Sequence, residues 1–244
     1  MRVTENILVC WGSHMVNLIA AAFAFLILHR VVSGTSLRDT LTRRFGESLY
    51  LRVFAVVSLG ALLWLSFAFA EIRSRPENVD FWIVSPIPIR LQLGIQLVAV
   101  LFILLGLVAA NPGTVNQQDV VNRSDIAQGI LRVTRHPFLW GMAIFAGGHL
   151  LARSDVASWI MFGTLLVVAL SGTVSIDAKR RRQLGERWLT FSNQTSNIPF
   201  VAILRGRQSL GLIEIGWGRP LVAVSVWSAL LFAHPFLFGT AAFR

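Results

Sequence analysis

The run LQLGIQLVAVLFILLGLVAA, residues 91–110, carries no charged side chain. At a rise of ~1.5 Å per residue, a helix of this length covers ~30 Å, the thickness of bilayer hydrocarbon. Read as a buried strand the run is too long, and an open sheet edge cannot face lipid. Working outward, five more apolar runs appear at 7–28, 49–70, 137–152, 156–176 and 220–243. Each is apolar on all sides, as lipid-facing or bundle helices are. The fourth is short, and Arg153-Ser154-Asp155 ties it to the fifth, so the two read as a helical hairpin. The expected fold is all-α: a polytopic integral membrane helix bundle of about six transmembrane helices. No linker divides the chain, so residues 1–244 read as a single domain.

Composition supports this. Of 244 residues, 55% are hydrophobic and 14% charged, where soluble domains carry roughly 25% charged residues. Mean hydropathy is +0.64. A water-soluble fold of this size cannot hide so much apolar surface, and disorder requires low hydrophobicity. The single cysteine, Cys10, excludes a disulfide framework and Cys-rich metal centres. The net charge of +10 reads as positive loops on an inner leaflet rather than as a nucleic-acid footprint. Sixteen Lys and Arg fall in the odd-numbered loops and six on the opposite side. This bias places the odd loops in the cytoplasm and both termini outside. Trp11, Trp82 and Trp159 fall near the outer face, and Trp140, Trp188 and Trp217 near the inner one, as interfacial aromatic belts do. Ala20-Ala21-Ala22 resembles a signal cleavage site, but the apolar run continues beyond it, so the first span is expected to stay uncleaved.

Between the spans, Pro86 and Pro88 read as outer loop, and the polar stretch 115–132 as one surface helix. Residues 179–219 read as a basic helix, Lys179–Phe191, then a break at Pro199 and the apolar patches 200–204 and 210–217. Interleaved with Arg205, Arg207 and Arg219, these suit the inner interface. Phe45-Gly46-Glu47 and Leu184-Gly185-Glu186 echo one another, too briefly to define a repeat.

Polar groups at membrane depth are the first functional candidates. Acidic residues are absent from the span interiors, and Asp177 at the end of span five comes closest. No Ser-His-Asp set, Gly-rich phosphate loop or HExxH sequence is present. The histidines remain: His14, His149 and His234 in the outer half of the membrane, and His29 and His136 near the inner surface. Imidazole is a common haem-iron ligand; it also bonds neighbouring helices. Gly141, Phe145, Gly148 and His149 share one broad helix face. The glycines leave room either for a flat macrocycle or for close helix packing. Arg135-His136-Pro137 opens span four. A cation at a helix N-terminus is disfavoured by the dipole, so an anion belongs beside Arg135: a lipid phosphate, a haem propionate or a cofactor carboxylate.

The segment Gly129-Ile130-Leu131-Arg132-Val133-Thr134-Arg135-His136-Pro137-Phe138-Leu139-Trp140-Gly141, followed by Gly148-His149-Leu150-Leu151, resembles the NnrU family. So do Ile176–Trp188, Thr195–Phe200, and the segment from Leu28-His29-Arg30 to Gly46-Glu47; the core of the match is 29–200. The resemblance implies a multi-pass protein of the bacterial inner membrane that supports nitrite and nitric oxide reduction, with membrane lipids and denitrification components as partners. A related plant branch, 15-cis-zeta-carotene isomerase, uses haem b to isomerise a central cis double bond. Its ligand positions match His29 and His149; by depth, His14 pairs with His149 and His29 with His136. On this reading haem b is the cofactor, with His149, His29 and His14 as candidate iron ligands and Arg135, His136, Gly141 and Gly148 around it. The chemistry would be isomerase-like or redox-sensing. A more distant resemblance to isoprenylcysteine methyltransferases implies S-adenosylmethionine at Arg135, His136 and Glu186. There, however, Phe138 stands for a tyrosine, and the basic run 179–182 replaces an acidic pair. A third reading is a non-catalytic accessory factor of denitrification.

Overall fold

The computed structural model describes residues 2–83, 86–114, 117–122 and 125–239. Arg123, Ser124 and Arg244, and the side chains of Arg2, Cys10 and Trp11, lie outside the described set. The described chain is helical: α1 Arg2–Ile27 continuing into a π-helical turn at Leu28–Val32, α2 Ser36–Phe45, α3 Glu47–Ile72, α4 Pro86–Val108, a 3₁₀ turn at Gln118–Asn122, α5 Ile130–Val133, α6 Pro137–Leu151, α7 Val156–Leu184, α8 Glu186–Gln194, α9 Val201–Leu204, α10 Leu212–Ile215 and α11 Gly218–Phe238. Among the described residues, five helical stretches are long and apolar enough to cross a membrane: 12–32, 47–72, 90–108, 156–184 and 218–238. The fourth run is α6, apolar but only 15 residues long. The protein is an all-helical, multi-pass membrane protein whose apolar helices contact lipid.

Several loop expectations are corrected. The stretch 115–132 does not form one helix. Val121 and Ile126 are drawn into a buried cluster with Leu131, Trp188 and Phe191, and Gly129 takes a positive φ of 54°, which interrupts any helix passing through it. The basic segment 179–191 is not a separate helix. Nothing from Asp177 to Leu184 breaks α7, which ends only at Gly185, again at positive φ. Pro86 and Pro88 belong to the first turn of α4, where an absent N–H leaves no helical bond unmade. Trp188 is fully buried rather than interfacial. Phe81, Trp82 and Trp159 do form an aromatic group, with ring centroids 5.7–6.4 Å apart.

The chain divides into two compact units, Met1–Ile89 with His149–Val168, and Arg90–Gly148 with Ala169–Arg244. In the first, α1 packs on α3 through Leu18, Ala21, Phe25, Leu65 and Ala68, which are buried. The turn between α6 and α7 is strapped to residues 78–81. The Phe81 N–H donates to the Ser154 carbonyl at 2.9 Å, and the Val156 N–H to Val79 at 3.1 Å. Asp155 caps α7 by accepting from the Ser158 N–H and from the Asn78 amide, both at 2.9 Å. Burial opposes ionisation of this carboxyl, but the Ser158 and Asn78 hydrogen bonds outweigh it and hold Asp155 below the ordinary aspartate range. The cap is therefore intact above the unfolded value of ~3.9 and is lost as pH falls through the lower folded value. Asp155→Ala is expected to cost about 1–2 kcal/mol at neutral pH. The cost should vanish on acidification, as read from the thermal midpoint in detergent across a pH series.

In the second unit, α4 and α6 run antiparallel and approach closely at glycines. A Cβ at Gly106 would lie 2.4 Å from the Phe138 backbone nitrogen, and one at Gly141 would lie 2.7 Å from Ile103. One at Gly148 would lie 2.6 Å from the Gln96 amide. Gln96 also donates to the Phe145 carbonyl at 3.0 Å. Arg132 pairs with Glu214 at 2.6 Å, tying α5 to α10.

Candidate functional site

His29 sits in the π-helical turn that follows α1, a distortion frequently found at functional positions. Its Nδ1 lies 3.0 Å from the Phe25 carbonyl oxygen. A carbonyl only accepts, so Nδ1 carries the proton and Nε2 keeps its lone pair. Ser58 of α3 meets that lone pair at 3.2 Å. The imidazole is held on two sides, by Phe25 at 4.2 Å and Phe54 at 5.6 Å between ring centroids. Metal-binding histidines show this pattern, one ring nitrogen anchored on the backbone and the other presented.

His149, in the last turn of α6, lies flat against Phe162, with centroids 4.3 Å apart and planes 14° apart. Phe162 is ~9 Å along α7 from its first residue. His14 has Glu71 for a neighbour, its Nδ1 3.5 Å from the carboxylate. It precedes His29 by fifteen residues on one helix, ~22 Å along the axis, so these two cannot share an iron.

The same unit contains an apolar groove of about 370 Å³ between α1 and α7, lined by Ile19, Ala22, Phe23 and Leu26 on one side and Trp159, Ile160, Gly163, Thr164 and Val167 on the other. It has no charged residue. Its two polar side chains are satisfied internally: the Thr164 hydroxyl donates to the Ile160 carbonyl at 2.6 Å, and the Trp159 indole to the Arg153 carbonyl at 3.1 Å. His29 follows Ala22 by two turns on the same side of α1.

The second unit holds a different constellation. Arg135 donates from Nε to Asp177 at 2.8 Å and adds a second contact from Nη2 at 2.5 Å. His136 Nε2 lies 2.7 Å from the same carboxylate, and the Asn197 amide 3.2 Å from it. The Asn111 amide donates to the Arg135 carbonyl at 2.9 Å. His136 is buried. Burial pushes its imidazole below the ordinary histidine range, although the Asp177 carboxylate works the other way. A neutral ring therefore donates Nε2–H to Asp177. The anion that Arg135 requires is thus the protein's own.

The sequence-derived residues separate accordingly. Arg135 and His136 are together, joined by Asp177. Gly141 and Gly148 face α4 and are filled by Ile103 and Gln96, so close packing, not space for a macrocycle, is the use made of them. His14, His29 and His149 belong to the other unit. Among the described residues, no three of His, Cys, Asp and Glu converge on a position for a bare metal ion. Haem asks only for one or two axial ligands. The donor chemistry at His29 fits that demand, whereas Arg135 and the two glycines are committed elsewhere. Ser58 and Asn197 escaped the sequence reading; a serine one helix away or an asparagine in a loop carries no local signal.

Comparison with known proteins adds the lineage. The chain is 28% identical over 242 residues to a chloroplastic 15-cis-zeta-carotene isomerase of Arabidopsis thaliana, covering 96% of this chain and 63% of that protein. It is 27% identical over 233 residues to the protein of the same name from Zea mays, covering 92% of this chain and 61% of that protein. The chain thus spans about three-fifths of the length of these relatives. No solved structure matches. The family model described as NnrU protein matches residues 17–242, nearly the whole membrane region just described, and the chain belongs to the NnrU family.

Proposed function

We propose that this protein, in a bacterial inner membrane, binds haem b through His29 and isomerises a cis double bond in an extended, uncharged hydrocarbon lying in the α1–α7 groove. The observation that carries the reading is that one unit holds both an uncharged groove and, two turns along α1 from Ala22 of its lining, a histidine whose lone pair is fixed by its own backbone bond. The relatives, named for isomerisation of a carotene, support the same class of reaction. His149 is the second candidate ligand. Haem, when bound, supplies an iron centre that can change its coordination and return. Isomerisation gains and loses no atoms, so no further reactant is consumed.

The chain's own residues supply the rest. Phe25 and Phe54 fix the plane of the imidazole. The Phe25 carbonyl strengthens it as a donor by accepting its Nδ1–H. The groove's two polar side chains spend their donors on backbone carbonyls, so a polar chain entering it would lose most of its water without replacement. Phe23 and Trp159 give the groove aromatic walls.

Two variants test this. His29→Ala is expected to abolish the Soret band of protein purified from haem-sufficient cells. Wild-type protein that carries no haem, even after reconstitution with haemin, sinks the cofactor reading. Nothing lies within 4 Å of where a Cβ would stand at Gly163, so Gly163→Leu fills the groove without disturbing packing. It is expected to keep the Soret band and lose at least ten-fold in turnover of a cis-polyene, followed by its absorbance change. A sensing role in nitrite and nitric oxide reduction rests on the same histidine. It differs in that nitric oxide would shift the spectrum and a polyene would not. Methyl transfer from S-adenosylmethionine draws no support from Arg135 and His136, which are engaged by Asp177, or from Glu186, which opens α8 as an exposed residue.

A further inference from the structure

We propose that Ser58 is a removable cap on the His29 lone pair, a positioning residue that keeps the ligand nitrogen ready while no iron is bound. The inference rests on the haem reading above and adds a residue that reading does not need. Two facts on facing helices carry it. The Phe25 carbonyl can only accept, so His29 is fixed as the tautomer with its proton on Nδ1. Nε2 is then an acceptor, and the partner at 3.2 Å is the Ser58 hydroxyl, which must donate.

In apolar surroundings an unmet acceptor of this kind is costly. Without Ser58, Nε2 would stand as an acceptor with no hydroxyl to meet it, while the Phe25 carbonyl still holds the proton on Nδ1. With Ser58 the imidazole is satisfied at both nitrogens in the orientation from which it ligates. The cap is also easy to release. A helical serine can turn its hydroxyl back to the carbonyl four residues earlier, which on α3 is Phe54. Ser58 therefore need not be left without an acceptor when iron takes Nε2. Phe25 and Phe54 hold the ring plane meanwhile, so release of the cap does not release the ring. Ser58 acts on affinity: it competes with iron for one lone pair and lowers the gain on binding by the worth of one hydrogen bond.

Full-length protein in detergent, stripped of haem and titrated with haemin, gives the test. Ser58→Ala is expected to bind haemin about five-fold more tightly than wild type, the factor for one net hydrogen bond of ~1 kcal/mol. Ser58→Thr, which keeps the hydroxyl, is expected to restore the wild-type affinity. A purely structural serine would not give this pairing, since loss of packing weakens binding or leaves it unchanged. Unchanged or weaker binding in Ser58→Ala overturns the proposal. A second readout needs no haem. In haem-free protein labelled with ¹⁵N-histidine, Ser58→Ala should shift the His29 Nε2 resonance toward that of an acceptor nitrogen without a hydrogen bond, while Nδ1 stays protonated. An unmoved Nε2 resonance also overturns the cap. If the resonance moves but neither protein binds haemin, the haem reading fails and the competition with iron falls with it, a pattern distinct from failure of the cap alone.

Discussion

Asp177→Ala is expected to lower stability by about 3 kcal/mol, the low end of the cost of deleting one partner from a buried charge pair, because Arg135 and Asp177 are only partly buried. Asp177 is the common acceptor for the Arg135 guanidinium, the His136 imidazole and the Asn197 amide. The side chains of Arg135 and His136 are 13% and 2% exposed. Removing the carboxylate strands one full cation and a neutral donor where little water reaches them. Asp177→Asn should be intermediate, since it keeps one acceptor oxygen but turns an NH₂ and no charge toward Arg135. Arg135→Met combined with Asp177→Leu should recover a large part of the loss, because a buried pair replaced whole by apolar groups leaves no orphan charge. Unfolding in mixed detergent micelles titrated with SDS measures all three. If the double variant is as unstable as Asp177→Ala, the pair does more than neutralise itself. On the haem reading proposed above, Asp177→Asn protein that still folds should keep the Soret band of the wild type, because this constellation and His29 belong to separate units.

The second large effect is expected at Gly106. A methyl group there would stand 2.4 Å from the Phe138 nitrogen and 2.8 Å from its Cα. These are backbone atoms, and a rotamer change cannot relieve them. Gly106→Ala must therefore push α4 and α6 apart, at a cost of about 3 kcal/mol, near the top of the usual range for overpacking. Gly94, on the same helix, has nothing within 4 Å of its added Cβ. Gly94→Ala should be neutral or stabilising by up to about 1 kcal/mol, since helix propensity then acts alone. The two alanine variants differ by one methyl group each on the same helix. Equal melting temperatures for the pair would mean that α4 and α6 do not pack as described.

The spans were legible because bilayer thickness sets a length that unbroken apolar runs reveal by inspection. The hairpin between α6 and α7 was legible for the same reason, since three residues leave no other route. Arg135 shows where such reading stops. The helix dipole says that an anion must be near, but the one used lies 42 residues later, and only the fold brings it there. The glycine face of α6 was readable as a smooth surface, but the identity of its occupant depended on α4. His29 was visible as a histidine at the end of a span. Its π-helical turn and its serine partner were not, because neither leaves a periodic trace. The surface helix expected at 115–132 failed because Val121 and Ile126 are buried, and tertiary burial overrides local polarity.

Arg38, Arg132 and Arg135 are each paired with a carboxylate, and Arg180 is buried, donating to the Thr114 carbonyl at 2.8 Å. All four count when the nascent chain chooses its orientation, because at that stage no partner has formed. After folding they contribute little to the electrostatic grip of the finished protein on anionic headgroups. That adhesion falls to the exposed arginines such as Arg43, Arg44, Arg181 and Arg182, so neutralising these four should loosen the protein from acidic lipid while leaving its topology as it was.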